Sequence, residues 1–282
     1  MRWSPGGERS GNIEDRRAAG MGGRAIPMGI GGFVLLLILS LVTGKDFISP
    51  LLQQQASAPQ EAGQAGPLQT TPEEEASVDI ISKVLDDLQA TWAKLLPGQY
   101  RDARLVLFRG ATQSACGLGE SAMGPFYCPG DQSVFLDLAF FAELDRRFGA
   151  PGDFAQQYVI AHEIGHHVQN LLGIERQVRS LQQRSPSQAN QLSVLMELQA
   201  DCFAGIWGHS TAQRNIMEAG DAEEGLRAAS AIGDDNLQQQ ASGRVRPESF
   251  THGSAAQRVQ WLRRGLESGQ VQACDTFRAA GS

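Results

Sequence analysis

DFAQQYVIAHEIGHHVQNLL, residues 153–172, reads as a single helix that stops at Gly173, a residue suited to a helix C-terminus. His162 and His166 stand four residues apart, so their imidazoles project from one face. Phe154, Tyr158, Val159, Ile160, Ala161, Ile164 and Val168 surround them, which makes the helix largely buried. Ionisable groups in such a helix are costly unless they are paired or ligated. Two buried histidines at this spacing, with Glu163 between them, are therefore expected to hold one zinc ion. Glu163 is the expected general base for a metal-bound water attacking a peptide carbonyl.

A catalytic zinc site takes three protein ligands and leaves one position open. The metzincin pattern would place Gly and His where this chain has Gln169 and Leu172, so the third ligand is sought as a carboxylate. MELQADCFAGIW, residues 196–207, supplies Glu197 on a helix opened by Ser185, Pro186 and Gln188. Asp201, one turn further, is placed to accept a hydrogen bond from a ligand histidine. The bland alternative is a solvated acidic face, but Leu195, Met196, Leu198, Ala200, Phe203 and Trp207 argue for burial. Cys202 is a second possible ligand, for which a disulfide is the better use. His167 points to the next face and is expected to pack or to support the site, and His209 is expected to be inert.

Around this centre the chain reads as α+β, mostly helical, with a small sheet. LVLF at 105–108 and SVFLDL at 133–138 are strand-like, and the second is the expected edge strand for an extended substrate. Helices are expected from Thr71, with Thr71 as cap, Pro72 at the first helical position and Glu74 completing a capping box, and at 139–148, 153–172, 186–207, 221–239 and 255–267. Four domains follow: a basic cytoplasmic tail over 1–25, a transmembrane anchor over 26–44, a flexible linker over 45–70, and a catalytic domain over 71–282. The anchor rests on the run IGGFVLLLILSLV and on the five arginines before it, which predict an N-terminus inside and a catalytic domain outside the cytoplasmic membrane. A cleaved signal peptide is the rival, but Ala56-Ser57-Ala58 lies far beyond the apolar run. The lipid bilayer and a peptide or protein are thus the expected partners. Nucleic acid is excluded by a net charge of −7 with no basic face. Cys116, Cys128, Cys202 and Cys274 form no CxxC motif; of three connectivities, Cys116 with Cys128 and Cys202 with Cys274 are expected.

HEIGHHVQN, ELQADCFAG, GDDNLQQQ and FTHGSAAQR resemble the bacterial neutral zinc metallopeptidase family across most of Leu105–Phe277, and GNIEDRR at 11–17 extends the likeness. In motif order alone the chain is also similar to membrane gluzincins. That second resemblance implies His162, His166 and Glu197 as zinc ligands, Glu163 as base, and His252 with Arg258 beside the transition state. It implies a gluzincin-type domain; from the residues themselves, Ser254 and Gln257 are expected to cap the helix that carries Arg258 and to hold His252 in the loop before it. Two other functions share these motifs: a zinc-binding membrane scaffold or chaperone with little proteolysis, and a zinc amidase acting on cell-wall peptides.

Overall fold

A computed structural model describes residues 1–18 and 68–280. Among these residues the strands are β1 (Ile13–Asp15), β2 (Arg104–Phe108), β3 (Ala111–Ser114), β4 (Gly117–Glu120), β5 (Phe126–Cys128) and β6 (Ser133–Asp137). The helices are α1 (Pro72–Leu95), α2 (Ala139–Arg146), α3 (Asp153–Leu171), α4 (Ile174–Arg184), α5 (Ala189–Gln213), α6 (Asp221–Ala231), α7 (Asp234–Ser242), α8 (Ala255–Ser268) and α9 (Thr276–Ala280). The mostly helical α+β class is therefore as expected. No described helix is long and apolar enough to cross a membrane, and the anchor expected over 26–44 lies outside the described residues.

The main sheet runs β1-β2-β6-β5, with β1 and β6 parallel to β2 and β5 antiparallel to β6. Strand alternation splits β2 between two apolar layers. Leu105 and Leu107 join the main core with Val84, Leu85, Leu88 and Trp92 of α1, while Val106 and Phe108 meet Phe135 and Cys128 on the other face. Burial on both faces explains why this strand is an unbroken apolar run. The same reasoning corrects the expected edge strand: β6 lies inside the sheet, paired on both sides, and β5 is the edge. Alternation reveals a strand but not its neighbours.

The N-terminal segment, expected as the basic tail over 1–25, contributes a strand to the main sheet. β1 pairs in register with β2, Ile13 opposite Leu105 and Asp15 opposite Leu107. Arg17 is fully buried and bonds Asp15, Glu74 and Glu75 at 2.6–3.0 Å. The Ser10 amide donates to Ser82 at 2.6 Å, and its hydroxyl donates to Asp86 at 2.5 Å. Arg9 and Arg17, two of the five arginines counted before the apolar run, are thus partners for the acidic start of α1, and residues 1–17 belong to the same compact unit as residues 69–280. A three-residue strand has too little periodicity to be read in advance.

Three features position the site. Thr71 caps α1 through the Glu74 amide, as expected, although the Glu74 side chain serves Arg17 and Arg109 rather than a capping box. Gly165 lets α3 and α5 touch, since a Cβ there would lie 3.0 Å from the backbone of Ala200. Gly265 does the same for α8 against α5, where a Cβ would sit 2.0 Å from the Cys202 carbonyl oxygen. Both expected cysteine pairs are at bonding distance, Cys116 with Cys128 and Cys202 with Cys274, with Cα atoms 5.8 and 5.6 Å apart.

Candidate metal centre

His162 and His166 leave α3 toward α5, and the Gly165 contact brings Glu197 opposite them. One ligand atom from each of His162, His166 and Glu197 can be chosen so that all lie within 4.8 Å of one another. His162 Nε2 is 3.1 Å from Glu197 Oε2, and His166 Nε2 is 3.4 Å from Oε1. Tetrahedral zinc with bonds of roughly 2.0–2.1 Å places its ligands about 3.3 Å apart, so this donor set fits the ion in chemistry and in spacing.

Both histidines have their second nitrogen occupied by an acceptor. His162 Nδ1 lies 2.8 Å from Asp201 Oδ1. His166 Nδ1 lies 2.9 Å from Gln169 Oε1, and the Gln169 amide nitrogen donates to the Met196 carbonyl at 2.7 Å, which fixes which end faces the histidine. Each Nδ1 is therefore a donor, and each Nε2, directed at Glu197, is the nitrogen left to bind a metal once its own proton is given up. Gln169 was read from sequence only as an absent metzincin glycine; its amide is in fact the orienting partner of His166.

Burial opposes charge on His162, yet Asp201 and Glu197 outweigh it and raise its pKa to about 10 in the metal-free chain. Burial likewise opposes charge on His166, and Glu197 reverses the balance and raises its pKa. For Glu197 burial acts upward, but the two imidazoles hold the carboxyl well below its usual range.

Asp201 is fully buried beneath this layer. Besides His162 it accepts the Tyr158 hydroxyl at 2.5 Å and two N–H groups of Arg258, both at 2.9 Å. Burial pushes its carboxyl up, but Arg258 and His162 bring it down to about 2. The expected site residue Arg258 is thus 3% exposed and stands behind His162. Its other N–H contacts go to Tyr158, to the Ile232 carbonyl and, at 3.5 Å, to His162 Nδ1, so it is the counter-charge of Asp201 at the back of the groove.

His252 lies at the rim, its side chain half exposed. Asp234, at the start of α7, accepts the backbone N–H groups of Thr251, His252 and Gly253 at 2.6–3.1 Å and contacts His252 Nδ1 at 3.1 Å. That contact, first of all, raises the His252 pKa. The Asp235 side chain accepts the Ala255 amide at 2.7 Å, so the GDD turn staples the loop ahead of α8. Ser254 and Gln257 form the expected capping box of that helix.

These groups open on a groove of about 740 Å³ lined by His162, Glu163, His166, Glu197 and His252. Phe126, Phe140, Phe148, Met123 and Val159 supply an apolar wall. β5 runs along it, and its second edge is unpaired among the described residues. Glu163 is 7% exposed and faces this groove.

The family model described as "Putative neutral zinc metallopeptidase" matches residues 1–277. The chain belongs to that family. It is 46% identical to "Uncharacterized protein YpfJ" of Escherichia coli (strain K12) over 98% of this chain and 99% of the relative. It is 43% identical to "Uncharacterized protein Rv2575" of Mycobacterium tuberculosis (strain ATCC 25618 / H37Rv) over 69% of each. No solved structure matches it. The family match includes residues 1–17, in keeping with their place in the sheet.

Proposed function

We propose that the chain is a zinc-dependent peptidase in which His162, His166 and Glu197 hold one zinc ion and Glu163 is the general base. The observation that carries this reading is the convergence of two Nε2 atoms and one carboxylate, at zinc-ligand spacing, beside a buried glutamate in an open groove. Zinc held there supplies Lewis acidity toward a carbonyl and toward water. Glu163 takes the proton from the attacking water and returns it to the leaving amine as the C–N bond breaks. His252, held by Asp234 at the groove rim, is the proposed donor from Nε2 to the developing oxyanion, a reading its place in the groove lining supports. The free edge of β5 is the candidate binding site for an extended peptide, in place of β6.

Location is part of the proposal. Two cysteine pairs support an oxidising space for the catalytic domain. Since β1 pairs with β2, residues 1–17 occupy that same space, whatever membrane association the apolar run at 26–44 confers.

The test is zinc content and peptide-library cleavage for wild type, Glu163→Gln and Glu197→Ala. Glu163→Gln is expected to keep zinc and lose cleavage, and Glu197→Ala to lose both. Wild-type protein that holds zinc but cleaves nothing favours the scaffold reading, and muropeptide cleavage alone favours the amidase.

A further inference from the structure

His167, next to the candidate ligand His166, takes no part in the metal cluster and is completely buried. Its Nε2 lies 2.7 Å from the Arg101 carbonyl oxygen, which can only accept, so Nε2 bears the proton. Nδ1 is then a lone pair, and its neighbour at 2.9 Å is the Tyr127 hydroxyl, which must donate. The Asn170 side-chain amide donates to that same hydroxyl at 2.9 Å. Every donor and acceptor in this chain of bonds is assigned without ambiguity.

Tyr127 is the middle residue of β5. Phe126 and Cys128 on either side of it point to the opposite face, where Phe126 stacks on Phe135 at 4.9 Å and Cys128 is bonded to Cys116. The strand is therefore gripped on one face by the small apolar cluster and on the other by α3. His167 and Asn170 lie one and four residues beyond His166, on the same helix as two candidate ligands.

We propose that Tyr127, His167 and Asn170 are positioning residues that set the distance and register between the substrate-binding edge of β5 and the metal. This rests on the peptidase reading above. A peptide paired with β5 presents its scissile carbonyl to the metal only if strand and helix are locked together, and this strut is the polar link between them. Misplacement by about 1 Å costs up to about a hundredfold in rate.

The experiment compares full-length wild type, Tyr127→Phe and Asn170→Ala for zinc content, melting temperature, kcat and KM on one peptide, and the bonds cut, mapped by mass spectrometry. Tyr127→Phe keeps the ring and deletes only the hydroxyl. The expected result is retained zinc and melting temperature, a fall in kcat/KM on the order of tenfold carried mainly by kcat, and cleavage spread to neighbouring bonds. Unchanged kcat/KM at an unchanged bond would overturn the inference. So would a loss that merely tracks lost zinc or lowered melting temperature, since that marks a structural role alone. A wild type that cleaves no peptide overturns the peptidase reading and the strut's role with it, whereas a cleaving wild type with an indifferent Tyr127→Phe overturns the strut only.

Discussion

Replacing Asp201 by asparagine separates metal positioning from structural charge balance. Asp201 is 0% exposed and Arg258 is 3% exposed, so the substitution leaves a buried guanidinium without its counter-charge. Breaking a buried pair from one side costs about 3–5 kcal/mol. At roughly 2–4 °C per kcal/mol for a domain of this size, the melting temperature falls by about 6–20 °C. Asparagine still offers an oxygen to His162 Nδ1 and Tyr158, but it lacks the charge that strengthens His162 as a ligand, so zinc affinity falls by roughly 10–100-fold. The double variant Asp201→Asn/Arg258→Met has no orphaned charge. It recovers most of the stability while zinc affinity stays low. Thermal melts and competitive zinc titration on the four proteins of the cycle are the assays. A single variant destabilised by less than about 1 kcal/mol, or a double variant as unstable as the single one, would refute the reasoning.

Three further outcomes follow from other parts of the molecule. Arg17 and Arg9 bonding holds the Asp15 and Glu75 carboxyls below their usual values, and Arg109 and Arg17 outweigh burial to do the same for Glu74. Depressed carboxyl pKa values stabilise the fold above the unfolded values and cease to do so as pH falls through the folded ones, so hydrogen exchange at β1 should quicken selectively below about pH 4. Removing Cys202–Cys274 as a pair of alanines opens a loop with a sequence separation of 72, worth about 4 kcal/mol by chain entropy, and a urea melt should register most of it. Compartment reporters fused separately at the two chain ends should report the same side of the membrane; opposite sides would contradict the pairing of β1 with β2.

The metal site was largely legible because its signals are local. The spacing of His162 and His166, the apolar flanks and the shared face of Glu197 and Asp201 each follow from helical periodicity, whereas the expected cysteine pairs rest on an even count and, for Cys116 with Cys128, on a short Gly-rich loop. What escaped depends on tertiary contacts. Arg258 follows His252 by six residues, yet their side chains go opposite ways, one to the buried Asp201 and one to the groove rim. Asp234 holds His252 from 18 residues away, a link visible in sequence only as an acidic pair at a helix start. The helix expected over 186–207 is α5, α4 has no counterpart among the expected helices because its sequence is mostly polar, and the expected helix at 221–239 is broken at Gly233, where a Cβ would strike Ala255. The place of residues 13–15 in the sheet escaped because the ion pairs of Arg9 and Arg17 with α1 join residues more than fifty positions apart.

The most direct measurement is zinc-edge X-ray absorption on the purified full-length chain. Two imidazole nitrogens and a carboxylate oxygen at about 2.0–2.1 Å, with no sulfur near 2.3 Å, is the result expected of a His162, His166 and Glu197 site. A sulfur shell, or protein that binds no zinc, would contradict it.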